Sequence, residues 1–143
     1  MIPKKKKRRK GLYKKDAWNA FSIYIRTRDT EERWPEGRVG RCCTCKKEYE
    51  FKKLQAGHFI PGRSGSVLLD ERIVHAQCYH CNVGLKGNPR EYDKFMRTKY
   101  TAEEVSELDN LAYQTKIYSS ADYADMTALF KQKTKELLDN IEA

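Results

Sequence analysis

The 143-residue chain has no apolar run near the ~18–20 residues that a membrane-spanning helix needs. Its basic N-terminus has no apolar stretch behind it, so it does not read as a secretory signal. No internal repeat is visible. No membrane partner is expected. With no sign of export, the five cysteines read as metal ligands plus one spare thiol rather than as disulfides.

What is present is charge. Hydrophobic residues make up 39% and charged residues 34%, which allows a core but a small one. A chain so built gains from a metal staple. The net charge of +9 suggests a polyanionic partner. Most of it lies in one run of seven basic residues, Lys4, Lys5, Lys6, Lys7, Arg8, Arg9 and Lys10. Residues 1–15 are expected to form a disordered basic arm, because like charges repel and nothing there can be buried. The run suits DNA phosphates, a nuclear localisation signal or a solvated tail equally in composition.

The rest divides into three stretches. Asp16 reads as a helix cap, and Ala17, Trp18, Phe21, Tyr24 and Ile25 recur at helical spacing. An N-terminal helix is expected within 16–38, its aromatics in the core, stopped by Trp34-Pro35-Glu36-Gly37. Residues 39–100 lose the helical period and gain Cys, Gly and His; two short strands fit within 49–60, and a helix is expected from Cys78 to Gly84 or Gly87. A short helix follows from Pro89. Residues 101–143 read as helices, with a Thr101–Glu104 capping box and a Ser120 cap. The last helix carries a stripe of Tyr123, Met126, Phe130, Leu137 and Ile141, which packs on this chain or forms a homodimer interface.

Cys42-x-x-Cys45 and Cys78-x-x-Cys81 are two chelating pairs of the kind that close a tetrahedral zinc site. A two-residue gap lets one tight turn aim both sulfurs at one ion. Cys43 is too close to Cys45 for this role and is the spare thiol. Four sulfurs leave no open position for water, so the zinc is structural and any catalysis lies elsewhere. His58 lies between the pairs and Asn82 directly follows Cys81. Alone, His58 reads as a buried, hydrogen-bonded histidine.

Paired knuckles around a strand-borne His, with Asn after the last Cys, resemble the ββα-metal (HNH-type) nucleases, including the endonuclease VII type. More closely, Ala56-Gly57-His58-Phe59-Ile60, Asp70-Glu71-Arg72, Val74-His75-Ala76-Gln77-Cys78, Cys81-Asn82 and Gly87-Asn88 resemble the NinG/Rap recombination proteins of lambdoid bacteriophages. The resemblance runs from about Asp16 to about Leu108 and is specific over 54–92. It implies an α+β fold, a zinc-stapled ββα core with flanking helices. It implies a metal-dependent DNA endonuclease in the cytoplasm of a bacterial host. Its substrates would be branched DNA such as Holliday junctions, D-loops or forks, handled alongside other recombination proteins.

In that scheme His58 is the general base, since an imidazole titrates near neutral pH. Asn82 is an oxygen ligand to a catalytic Mg²⁺ or Mn²⁺. Two positions depart from the pattern: Gly57 stands where Asp or His precedes the base, and Ile73 where an Asn braces the loop. Asp70 is offered as the missing metal ligand, with Glu71 and His75 as substitutes. Arg63, Arg72 and Lys86 are candidate phosphate contacts; His80 is expected to be exposed. The alternative function is a zinc-containing DNA-binding or adaptor module without catalysis.

Overall fold

The structure, a computed structural model, describes residues 7–62 and 65–140. Lys4, Lys5, Lys6 and Arg63 lie outside the described residues, as does Ile141 of the C-terminal stripe. Helices and small sheets are mixed along the chain, in keeping with an α+β class.

The first helix, α1, spans Lys10–Arg28 and so begins before the expected cap at Asp16. Residues 10–15, expected to be disordered, are helical. Lysines are good helix formers once the repulsion between them is relieved. Here the Arg8 guanidinium reaches both the Asp16 carboxylate and the Tyr13 ring, drawing the basic segment onto the first turns. Asp16 is therefore an ion-pair partner, not a cap.

The helix ends at Arg28, well before Trp34. The chain then makes a hairpin, β1 (Thr30–Arg33) with β2 (Gly37–Arg41), and β2 pairs with β3 (Glu48–Glu50). Trp34-Pro35-Glu36 is the turn, and Gly37, at φ 80°, supplies the left-handed conformation that closes it. The strands carry charge on both faces; Arg33 on β1 reaches Glu48 of β3 across the sheet at 2.9 Å.

A second sheet is one antiparallel pair, β4 (Leu54–His58) with β5 (Val74–Cys78), in the register Gln55 to Gln77, Gly57 to His75 and His58 to Val74. The loop between them carries the single turn α2 (Gly65–Leu68). Side chains alternate across a strand, so His58 and His75 face opposite ways. All of β5 is buried because both faces are covered. α1 lies on one face. The other meets α3 (Pro89–Lys99), where the Tyr92 and Phe95 rings pack on His75.

α4 (Ala102–Asp109) starts at the expected Thr101–Glu104 capping box. α5 (Ser120–Asp139) is capped by Ser119 with Asp122, one residue before the expected cap. The apolar stripe of α5 lies on α1: Phe130 meets the Phe21 ring edge-on at 4.9 Å, with Met126 and Leu137 beside the same core. Among the described residues of the stripe, Met126, Phe130 and Leu137 thus pack within the chain. Phe130 is 4% exposed, and Phe130→Ala should lower unfolding free energy by about 3–5 kcal/mol in a denaturant titration. Zinc content of the folded fraction should stay unchanged, because the metal site is built from other elements.

Candidate metal centre and adjoining groove

Cys42, Cys45, Cys78 and Cys81 bring their sulfurs within 4.8 Å of one another. A tetrahedral ion with bonds of 2.3 Å needs sulfurs about 3.8 Å apart; Cys45 and Cys78 stand at 3.9 Å. All five cysteines are free. The first pair sits on a knuckle turn closed by Lys46 N–H to Cys42 O, with Lys46 in the left-handed region at φ 67°. The second pair spans the end of β5 and a π-helical turn over His80–Gly84.

The surroundings favour a thiolate at Cys42 first, while burial and the neighbouring sulfurs push the Cys45 and Cys81 thiols up. Backbone N–H groups of Cys45 and Cys81 point at the sulfurs of Cys42 and Cys78, at 3.5 and 3.4 Å. The Asn88 amide donates to Cys81 Sγ. Burial pushes the Cys42 thiol up, but the Cys45 N–H, the Thr44 hydroxyl and further backbone donors outweigh it and bring the pKa to about 6. Cys43 lies in the hydrophobic core instead, and burial raises its thiol well above the usual value. The donor set therefore fits a structural zinc held by these four residues, with Cys43 excluded.

His58 ends β4 on the α1 side. Its Nε2 is 3.0 Å from Leu68 O, and a carbonyl only accepts, so Nε2 carries the proton. The neutral ring then has its lone pair on Nδ1. Its face stacks on Trp18 of α1, centroids 5.1 Å apart and planes 19° from parallel. Trp18, expected in the core, is instead only partly buried and borders an open groove of about 400 Å³. Arg26, Lys52, Gln55 and Asn82 line the same groove. The Asn82 amide donates to Gln55 Oε1 at 2.8 Å. Trp18 is thus the link between His58 and the groove holding Asn82. Trp18, Arg26, Lys52 and Gln55 had no motif to mark them; the helical period placed Trp18 on an apolar face and went no further.

The other candidates lie apart from this groove. The Asp70 carboxylate accepts from the backbone N–H, Nε and Nη2 of Arg72, at 3.0, 3.0 and 2.6 Å. Glu71 accepts from Lys133 at 2.7 Å. Both groups expected as a metal ligand and a phosphate contact, Asp70 and Arg72, are therefore engaged with each other. His75 is 2% exposed and bonded to Tyr92. Ile73 is fully buried, and its carbonyl accepts from Phe59 N–H at 2.7 Å, so the loop is braced by backbone. Lys7, Arg8, Arg9, Lys10, His80 and Lys86 are exposed.

Gly57 has a steric cause. A Cβ there would lie 1.8 Å from Gln77 Oε1. Gln77 cannot yield easily, because its Nε2 donates to Thr44 Oγ1 at 3.1 Å and to Gly87 O at 3.0 Å. Among the described residues, those lining the Trp18 groove thus offer as side-chain oxygens only Ser22 Oγ, Gln55 Oε1 and Asn82 Oδ1, with no carboxylate. Among the described residues only the four cysteines cluster as metal ligands. That set does not fit a protein-held Mg²⁺ or Mn²⁺, which favours carboxylate oxygens.

Cys78→Ser should release zinc and unfold much of the chain, while Cys43→Ser should keep both metal and fold. Elemental analysis with circular dichroism on the two variants checks the assignment; equal behaviour would refute it.

No curated protein and no solved structure matches the chain. The sequence model of the family described as Bacteriophage Lambda NinG protein matches residues 2–140, nearly the whole length. With its paired knuckles and strand-borne histidine in place, the chain belongs to the bacteriophage lambda NinG family.

Proposed function

We propose that the chain is a phosphodiester hydrolase acting on DNA in phage recombination, with branched DNA as its substrate. The observation that carries this reading is His58: an imidazole with a fixed tautomer, stacked on Trp18 beside an open groove bearing Arg26, Lys52 and Asn82. In the proposed step the His58 imidazole takes a proton from water as it attacks the phosphorus, the phosphorus–oxygen bond to the leaving sugar breaks, and that oxygen leaves with a proton from solvent. Arg26 and Lys52 hold the phosphate by charge, and the Asn82 amide orients it. Trp18 positions the ring without touching the reacting atoms. The step uses no protein-held divalent cation, because the groove lining carries no carboxylate to hold one. Branch preference, recombination partners and work in the host cytoplasm are carried from the family alone.

The second reading is a nucleic-acid-binding zinc module without catalysis. Gly57 favours it, because Gln77 fills the place of any carboxylate there.

Labelled four-way junction and linear duplex, incubated with the protein in Mg²⁺, Mn²⁺ or EDTA, separate the two readings. Cleavage by wild type is expected, with a loss of about 10²–10⁴-fold in His58→Ala and unchanged zinc and junction binding. Trp18→Phe, which keeps a stacking ring, should retain more activity than Trp18→Ala. If wild type cuts neither DNA under any of these conditions, the binding module replaces the enzyme.

A further inference from the structure

The face of the second sheet turned away from His58 carries a cleft of about 690 Å³, between that sheet, the β1–β2 hairpin and α3. Its volume is in the range of ligand sites, about 300–1,000 Å³. His75 forms part of the wall and is 2% exposed. The Tyr92 hydroxyl has one proton, which it donates to Gly57 O at 2.6 Å. Its oxygen must therefore accept from His75 Nδ1, 3.1 Å away. This assigns the His75 proton to Nδ1 and leaves Nε2 a bare acceptor. Among the described residues Nε2 has no hydrogen-bond partner. Buried acceptors seldom go without a donor, so the atom points to a ligand that brings one.

Charge supplies the second half. Arg28 and Arg33 in the cleft are balanced by Asp29, Glu31 and Glu48. Among the described residues neither Lys99 nor Lys46, whose ammonium donates to Cys43 O at 2.6 Å, pairs with a carboxylate, and Arg41 stands 4.0 Å from Glu48. The two ammonium groups sit over the Phe95 ring, at 4.7 and 5.8 Å, and Phe95 meets the His75 ring edge-on at 4.8 Å. Cations for phosphate thus adjoin an acceptor for an N–H group. One unit that carries both is a nucleotide.

We propose that this cleft holds a nucleotide unit of a nucleic-acid strand, its phosphates on Arg41, Lys46 and Lys99 and a base N–H on His75 Nε2. A strand is favoured over a free nucleotide because the chain carries +9 net charge and seven consecutive basic residues, the balance of a polyanion binder. The inference rests on the nucleic-acid partner of the proposed function but not on its chemistry. Its test therefore reads binding, and a His58→Ala protein should pass it as wild type does.

The full-length, zinc-loaded chain with ¹⁵N-labelled histidine is titrated with a 20-nucleotide single-stranded DNA, with deoxycytidine monophosphate and with inorganic phosphate. The strand should move the His75 Nε2 resonance upfield, as an accepted hydrogen bond does, and phosphate alone should not. In Lys46→Asn/Lys99→Gln the slope of log K against log salt should fall by about 1.4, or about 0.7 for each lost contact. Lys99→Gln, away from the zinc knuckle, should by itself account for about half of that. A strand that binds without moving Nε2, or an unchanged slope in Lys99→Gln, overturns the proposal. Movement with phosphate alone overturns the base contact, and movement with the mononucleotide but not the strand overturns the strand as occupant.

Discussion

Four sulfurs must reach one point, and much of the central architecture follows from that. The demand joins a knuckle at residues 42–45 to the end of β5 and the turn after it, across more than thirty residues of chain. Zinc binding to such sites contributes on the order of 10–16 kcal/mol of apparent free energy, comparable to the whole stability of a small domain. The small apolar core is therefore not the main organiser of this region. Thr44, in the first knuckle, passes the constraint on by accepting from Gln77, which in turn presses on Gly57. Asn82 is placed because it follows a ligand directly.

The four-cysteine cluster was legible in the sequence because chelate spacing is a local property. The capping box at Thr101 was legible for the same reason. The β1–β2 hairpin was not: its strands are charged and show no alternation, and the Trp34-Pro35-Glu36-Gly37 punctuation fits a helix stop as well as a hairpin turn. The start of α1 was hidden by charge, since a lysine run reads as disordered until Arg8 finds Asp16. Trp18 illustrates a different limit. Helical periodicity says that it faces inward, but only tertiary packing says that what it faces is His58.

The β4–β5 ladder is two residues wide in function as well as in form. A strand alternates its side chains, so neighbours at Gly57 and His58 serve opposite faces. The His58 face meets α1 and opens on the Trp18 groove. The opposite face meets α3, where Tyr92 holds both the Gly57 carbonyl and His75. One tyrosine hydroxyl thereby ties the back of the strand that bears His58 to the wall of the second cleft. A displacement of α3 cannot leave β4 where it was.

Gln77 and Gly57 also limit how this chain can change. A carboxylate at position 57 would need the volume that the Gln77 amide fills, and a smaller residue at 77 would strip Thr44 and Gly87 of their donor beside the thiolates. Neither step is harmless alone, and each makes room for the other only when taken together. Positions 57 and 77 are therefore one shared volume: any side chain added beside His58 displaces the amide that steadies the first knuckle.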